Sequence, residues 1–259
     1  MKTLKLSIEE LIFCFYSEGL FEQGMSLKQA YFPEMTEKQL ESVFEISCRS
    51  LLAKDVLEYK NHQYQLKETF RPFIQVMNHA DYTVKAAKFT DKGEESISYH
   101  MAASGVFAHS LCYDQQVHQI SYLSSREEVI DLIVQFLTIK ERSEKITFTL
   151  QHDQFEQLLK EASEEQVTVD EGLVKWGNKN PHAASLFQDL VSRQGKMDSI
   201  MLIEYDRDNT PDVKNILFVI PGFDHTWLAM GSARNEFSIM SAEKENLRHI
   251  IDRKSHFSR

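Results

Sequence analysis

The chain has 259 residues, 42% of them hydrophobic and 26% charged, and carries a formal net charge of −10. That apolar content can build a packed core and excludes disorder as the main state. A surface this acidic repels nucleic acid and anionic lipid. Glycine (9) and proline (5) fall well below the roughly 12% of average usage, so few loops could wrap a phosphate, which counts against nucleotide enzymes. Cys14, Cys48 and Cys112 have no CxxC spacing and read as free thiols of a reducing compartment. Glu9 and Glu10 stand where a signal peptide needs an apolar run, and no window is apolar enough to span a membrane. The expectation is a soluble cytoplasmic protein of one domain over 1–259.

In chain order, Ser7-Ile-Glu-Glu10 is a capping box opening a helix that carries Leu11, Ile12, Phe15 and Tyr16. Thr36-Glu-Lys-Gln39 is a second box, before Leu40, Val43, Phe44, Ser47 and Leu51 at helical spacing. A short β-pair follows, Val56–Tyr59 and Tyr64–Leu66 around an Asn61-His62 turn. Helices followed by a small wing, over residues 1–66, have the order of a winged helix. Between Thr36 and Lys54, however, Lys38, Arg49 and Lys54 face Glu37, Glu41 and Glu45, too little basic charge for a DNA-reading helix. A helix is expected over 67–80, strands at 82–89, 96–102, 106–114 and 117–123, and a helix from Ser124. Lys145–Leu150 alternates as a strand, Phe155, Leu158 and Leu159 mark a helix, and 163–180 reads as a connecting helix and turn. A helix at 181–193, strands near 198–206, 213–221, 225–231 and 236–240, and a helix from Ser241 complete the reading.

The second half echoes the first. Shifted by 117 residues, 70–136 falls on 187–253 without a gap, with nine identical pairs that include Phe70/Phe187, Asp81/Asp198, Gly105/Gly222 and Ser121/Ser238. Each copy reads helix, four-strand meander, helix. Residues 138–186 connect the two. The expected fold class is therefore α+β: a quasi-two-fold repeat around a central antiparallel sheet, with winged-helix-like N-terminal helices.

Catalytic motifs are absent: no G-x-x-x-x-G-K, G-x-G-x-x-G or G-x-S-x-G occurs. His100, His109, Cys112 and His118 lie close in sequence, but consecutive strands need not bring them together, and paired ligands on a turn are missing. No metal and no cofactor is expected. Asp224 and His225 are adjacent in a predicted hairpin, where neighbouring side chains point to opposite faces and share no proton. Gly105 and Gly222 read as turn glycines needing positive φ. Trp227 aligns with Ser110 and is either a contact residue of one copy or core.

Taken together, the helical start Leu6–Leu11, the run Glu45–Leu57, the wing, the helix ending near His79 and the strand Val106–Asp114 resemble the EspG type of cytosolic chaperone from type VII secretion systems. The low glycine content and the Phe-, Lys- and Glu-rich composition fit a Gram-positive relative. The resemblance implies no enzyme activity. It implies binding of a helical-hairpin secretion substrate, PE/PPE-like or LXG-like with small helical partners, held soluble before export, without nucleic acid, membrane or small molecule. It also implies a contact region at Phe89, Thr90, Asp91, Lys92, Glu94 and Glu95, with Phe89 as apolar anchor and Lys92 at the rim, and at Ser241, Asn246, Arg248 and His249 of the final helix. The alternative is a winged-helix transcription regulator whose repeat domain senses a ligand. A continuous basic stripe on the helix after Thr36 would favour it.

Overall fold

The computed structural model describes residues 2–142, 144–164, 168–206, 209–232 and 234–251; residues 207, 208, 233, 252 and 253 of the second expected copy lie outside them. The chain opens with β1 (Thr3–Ser7), α1 (Ile8–Ser17), α2 (Phe21–Tyr31), α3 (Glu37–Ala53), β2 (Leu57–Lys60) and β3 (Gln63–Leu66). Then come α4 (Arg71–His79), β4 (Tyr82–Thr90), β5 (Gly93–Ala102), β6 (Gly105–Cys112), β7 (Val117–Leu123) and α5 (Glu127–Phe136). After β8 (Thr147–Gln151), α6 (His152–Ser163) and α7 (Val169–Lys179), the order helix, four strands, helix is read again. It runs through α8 (Pro181–Ser192), β9 (Asp198–Tyr205), β10 (Pro211–Pro221), β11 (Thr226–Ser232), β12 (Glu236–Ser241) and α9 (Lys244–Ile251). Among the described residues ten strands share one hydrogen-bonded order, β1-β7-β6-β5-β4-β9-β10-β11-β12-β8, and β2 pairs with β3 apart from them. The fold class expected from sequence, α+β with a large antiparallel sheet, is the one observed.

By its contacts the chain divides into two compact units interleaved in sequence: Met1–Thr83, Ile97–Arg126 and Glu204–Asp212 form one, Val84–Ser96, Glu127–Ile203 and Val213–Arg259 the other. In the first, β1 pairs antiparallel with β7, Thr3 opposite Ser121 and Ser7 opposite Val117. The alternation of β1, with Leu4 and Leu6 buried between exposed neighbours, places both leucines in a core with Leu11 and Phe15 of α1, Leu51 of α3, Ile74 of α4, Phe107 and Ile120. Phe73 closes on Phe107 edge-to-face at 5.1 Å.

Both predicted capping boxes form. Ser7 accepts from the Glu10 amide while Glu10 Oε2 accepts from the Ser7 amide at 2.9 Å, and Thr36 with Gln39 repeats the exchange. The wing turn is built as read, with Asn61 and His62 at φ 53° and 62°, the mirror-image geometry that suits a twisted two-residue hairpin.

The second unit has its own core around Phe155, Leu158, Trp176, Leu186, Phe187, Ile220, Trp227 and Ile239. Here β8 pairs with β12, and β12 with β11. Each tryptophan is buried and spends its single N–H on a carboxylate: Trp176 on Glu161 at 3.1 Å and Trp227 on Asp189 at 2.8 Å. Trp227 is thus core. Gly105 adopts φ 131° as a turn glycine. Gly222 is required for another reason, close approach, since a Cβ there would stand 2.4 Å from Asp189 Oδ2 and 2.6 Å from the His225 carbonyl.

Glu10 does more than cap α1. Its side chain is buried, and it accepts from Ser50 Oγ and from Lys54 Nζ, each at 2.6 Å, so one carboxylate joins β1, α1 and α3. Glu10→Ala should lower the unfolding free energy by about 3 kcal/mol, read from the urea midpoint. Lys54→Ala, whose ammonium is half exposed, should lower it by about 1 kcal/mol.

Candidate functional site

The expected contact loop is mostly strand. β4 and β5 run up to a tight turn at Asp91 and Lys92, closed by Thr90 Oγ1 donating to the Gly93 carbonyl at 2.9 Å. Lys85–Glu94 and Lys88–Glu95 ion pairs cross the hairpin, which explains how so polar a segment holds strand geometry. Phe89 is 44% exposed. Its backbone N–H donates to Asp198 Oδ1 at 3.0 Å, and Asp198 is in turn gripped by Arg193 at 2.7 Å. Burial raises the Asp198 carboxyl, a tendency opposed by that amide and by Arg193.

The second expected group divides. Ser241 ends β12 rather than opening a helix; it is buried, with its hydroxyl accepting from the Ile146 amide at 3.1 Å. This side chain is structural, and the final helix starts at Lys244. Asn246 and Arg248 are half-buried and His249 is exposed. Arg248 and His249 both pair with Glu245. Helix α5 contacts both elements next to these groups: Lys88 of β4 lies over the Phe136 ring at 4.6 Å, and Lys244 of α9 pairs with Asp131.

Three histidines that sequence distance kept apart do meet. His109 lies opposite Ser98 and Ile120, so His100 and His118 are its diagonal neighbours on the same face. The rings stack, 5.9 Å from His100 to His109 and 5.2 Å from His109 to His118. His109 Nε2 and His118 Nδ1 share a hydrogen bond of 3.0 Å, and Thr83 Oγ1 links His100 Nδ1 to the Tyr205 hydroxyl. Cys112 falls on the opposite face by alternation. Parallel rings do not aim their nitrogens at one point, and among the described residues no group of three or more His, Cys, Asp or Glu side chains could hold a metal. Burial pushes the imidazoles of His100 and His118 down to about 4, and His109, which also feels both neighbours, to about 3.

His225, expected on a surface hairpin, is instead buried against Trp227, 4.2 Å between ring centroids, while Asp224 is exposed. The two form no couple. Asp189 at the end of α8 is the organising group of this turn: Oδ1 accepts from the Phe223 amide at 3.0 Å and Oδ2 from Trp227. Burial lowers the His225 imidazole.

At the first unit's helices, Tyr31, Phe32, Pro33, Met35 and Val43 line an open groove of about 900 Å³ between α2 and α3. The outer face of α3 presents Glu37, Lys38, Glu41, Glu45, Ile46 and Arg49. It is a mixed face with an exposed isoleucine and no basic stripe, which disfavours DNA as its partner. Among the described residues no helix is long and apolar enough to cross a membrane.

Comparison with known proteins gives a family and a fold. The family described as "Uncharacterised protein YfjC" matches residues 3–251, and the chain belongs to it. It is 47% identical over 256 residues, 98% of this chain and 100% of the relative, to "Uncharacterized protein YfjC" of Bacillus subtilis (strain 168). Among solved structures it is similar to the type VII secretion system chaperone EspG5 of Mycobacterium tuberculosis, solved in complex with the PE25-PPE41 dimer. The TM-score is 0.65 at 10% identity, over 96% of this chain and 94% of that one.

The stacked histidines predict acid sensitivity. Unfolded, each imidazole takes a proton near pH 6.5; folded, it stays neutral until about pH 4 or 3. Nothing is lost above pH 6.5. Below it, the unfolded state gains protons that the native state refuses, and each histidine removes up to about 1.4 kcal/mol of stability per pH unit until its folded value is reached. His109→Gln should therefore lose less urea resistance than the wild type between pH 7.5 and pH 5.0. Equal losses would show that the row does not govern the transition.

Proposed function

We propose that this member of the YfjC family is a cytosolic, non-enzymatic chaperone that holds a helical-hairpin substrate of a type VII secretion system soluble before export. The observation that carries the reading is its likeness of fold to a type VII secretion chaperone along nearly the whole of both chains, an arrangement rather than a shared small module. The partner would be a helical pair of the PE/PPE-like or LXG-like kind. Such a hairpin ends in apolar side chains that would self-associate in water, and covering them needs a rigid surface with one or two apolar anchors inside a charged rim. The β4–β5 hairpin supplies those elements: Phe89 is half out of the surface, and the Lys85–Glu94 and Lys88–Glu95 pairs put charge on the same hairpin. Helix α9, with exposed His249 and the Arg248–Glu245 pair, adds further polar groups.

The test is purification of the tagged chain from its own bacterium. A helical-hairpin protein in one-to-one ratio is expected, together with loss of that protein from the soluble fraction when the gene for this chain is deleted. Absence of any stoichiometric partner, with every secreted helical protein still soluble in the deletion strain, would overturn the reading. Phe89→Ala should weaken the complex by on the order of 2 kcal/mol and change stability by less than about 1 kcal/mol. A stability loss above about 3 kcal/mol would instead mark Phe89 as core.

A further inference from the structure

The most exposed large apolar side chain among the described residues is Phe223, at 87%. It sits in the four-residue turn between β10 and β11, and its backbone is held from both sides. The Gly222 amide donates to the His225 carbonyl at 2.8 Å. The Phe223 amide donates to buried Asp189, and the Phe223 carbonyl accepts from Lys140 Nζ at 3.0 Å. The Thr226 amide donates to the Lys140 carbonyl and the Lys140 amide to Thr226 Oγ1, each at 3.0 Å, and these bonds fasten the neighbouring segment.

This local structure is expensive in stability terms. A carboxylate is taken out of water to fix one turn, the close approach at Gly222 leaves no room for a side chain, and His225 is buried with neither ring nitrogen hydrogen-bonded among the described residues. Groups left in that condition lower stability, because the water they gave up is not replaced. A lone exposed phenylalanine is ordinary; one whose backbone is immobilised at such expense is a preorganised anchor, which loses little entropy when a partner covers it.

We infer that the Gly222–His225 turn is a second contact element of the chaperone surface, inserting Phe223 between the helices of the helical-hairpin partner, with the Lys140 ammonium beside it as rim charge. The inference rests on the chaperone reading and adds to it a residue and a turn outside the β4–β5 hairpin and α9. A ring that enters an apolar groove between two helices fits a helical pair better than a flat sheet or an extended peptide, since the turn exposes one bulky side chain and no free strand edge.

Photo-crosslinking in the native bacterium tests it. Phe223→p-benzoylphenylalanine keeps the aromatic shape at a site where the side chain packs on little else, and Phe89→p-benzoylphenylalanine serves as comparator. An adduct from position 223 with a helical-hairpin protein is the expected result. An adduct from 89 without one from 223 would overturn this inference and leave the chaperone reading standing; adducts from neither would overturn both. Crosslinking of 223 to a second copy of the chain, or to a protein without a helical pair, would also overturn it. In parallel, Phe223→Ala should reduce affinity for the purified partner by about tenfold or more with an unchanged melting temperature. Unchanged affinity, or a Phe223 amide that exchanges with solvent at the rate of an unstructured chain, would exclude a preorganised anchor.

Discussion

A carboxylate removed from water must be answered by donors, and in this protein that requirement decides how helices meet strands. Glu10 is the clearest case. Its two oxygens receive the Ser7 amide, the Ser50 hydroxyl and the Lys54 ammonium, so the end of β1, the first turn of α1 and the end of α3 cannot move independently. The leucines of β1 then face the same core as Leu11 and Leu51 because the strand is held in register from its C-terminal end. Asp189 does the equivalent work in the other unit, joining α8 to the β10–β11 turn and to Trp227. Charged groups so placed are weak sources of net stability but strong sources of specificity, because a displaced partner leaves an unanswered charge.

Such construction suits a surface that has to hold its shape in the absence of a partner. The β4–β5 hairpin is ruled by ion pairs and by the Phe89–Asp198–Arg193 chain, and the Phe223 turn by Asp189 and Lys140. Neither depends on a large apolar contact of its own, so the apolar rings they carry stay outside. In the proposed reading, binding then draws on preformed geometry, and the charged pairs around it act on encounter and on choice of partner more than on affinity.

Local signals in the sequence were reliable where the chemistry is local. Ser7 and Thr36 open helices because hydroxyl and N3 side chain lie within one turn of each other, and the Asn61-His62 turn needs nothing beyond its own residues. The order helix, four strands, helix was legible in each half because apolar and polar residues alternate along the strands. What depended on pairing was invisible. β1 has five residues and draws its identity from β7, more than a hundred positions away. Residues 93–95 looked like loop because Gly-Glu-Glu has no strand preference of its own; the lysines that hold it lie on β4. The histidine row required the register of three strands, and a diagonal offset of two residues from Ser98 and Ile120 was the one signal that could have found it.

The same distinction bears on the site. Phe89 was legible as an aromatic that the repeat does not demand, since its aligned partner is Asp206. Phe223 was not, because its importance comes from groups distant in sequence: Asp189 thirty-four residues before it and Lys140 eighty-three. Without them Gly222-Phe223-Asp224-His225 is a flexible turn whose ring would fold back onto the nearest apolar surface. Asp189 holds the amide of Phe223, and the Gly222 backbone lies too close to that carboxylate for the turn to shift inward. The ring therefore projects into water as a consequence of polar contacts made entirely by the main chain, which leaves its whole side chain available for recognition.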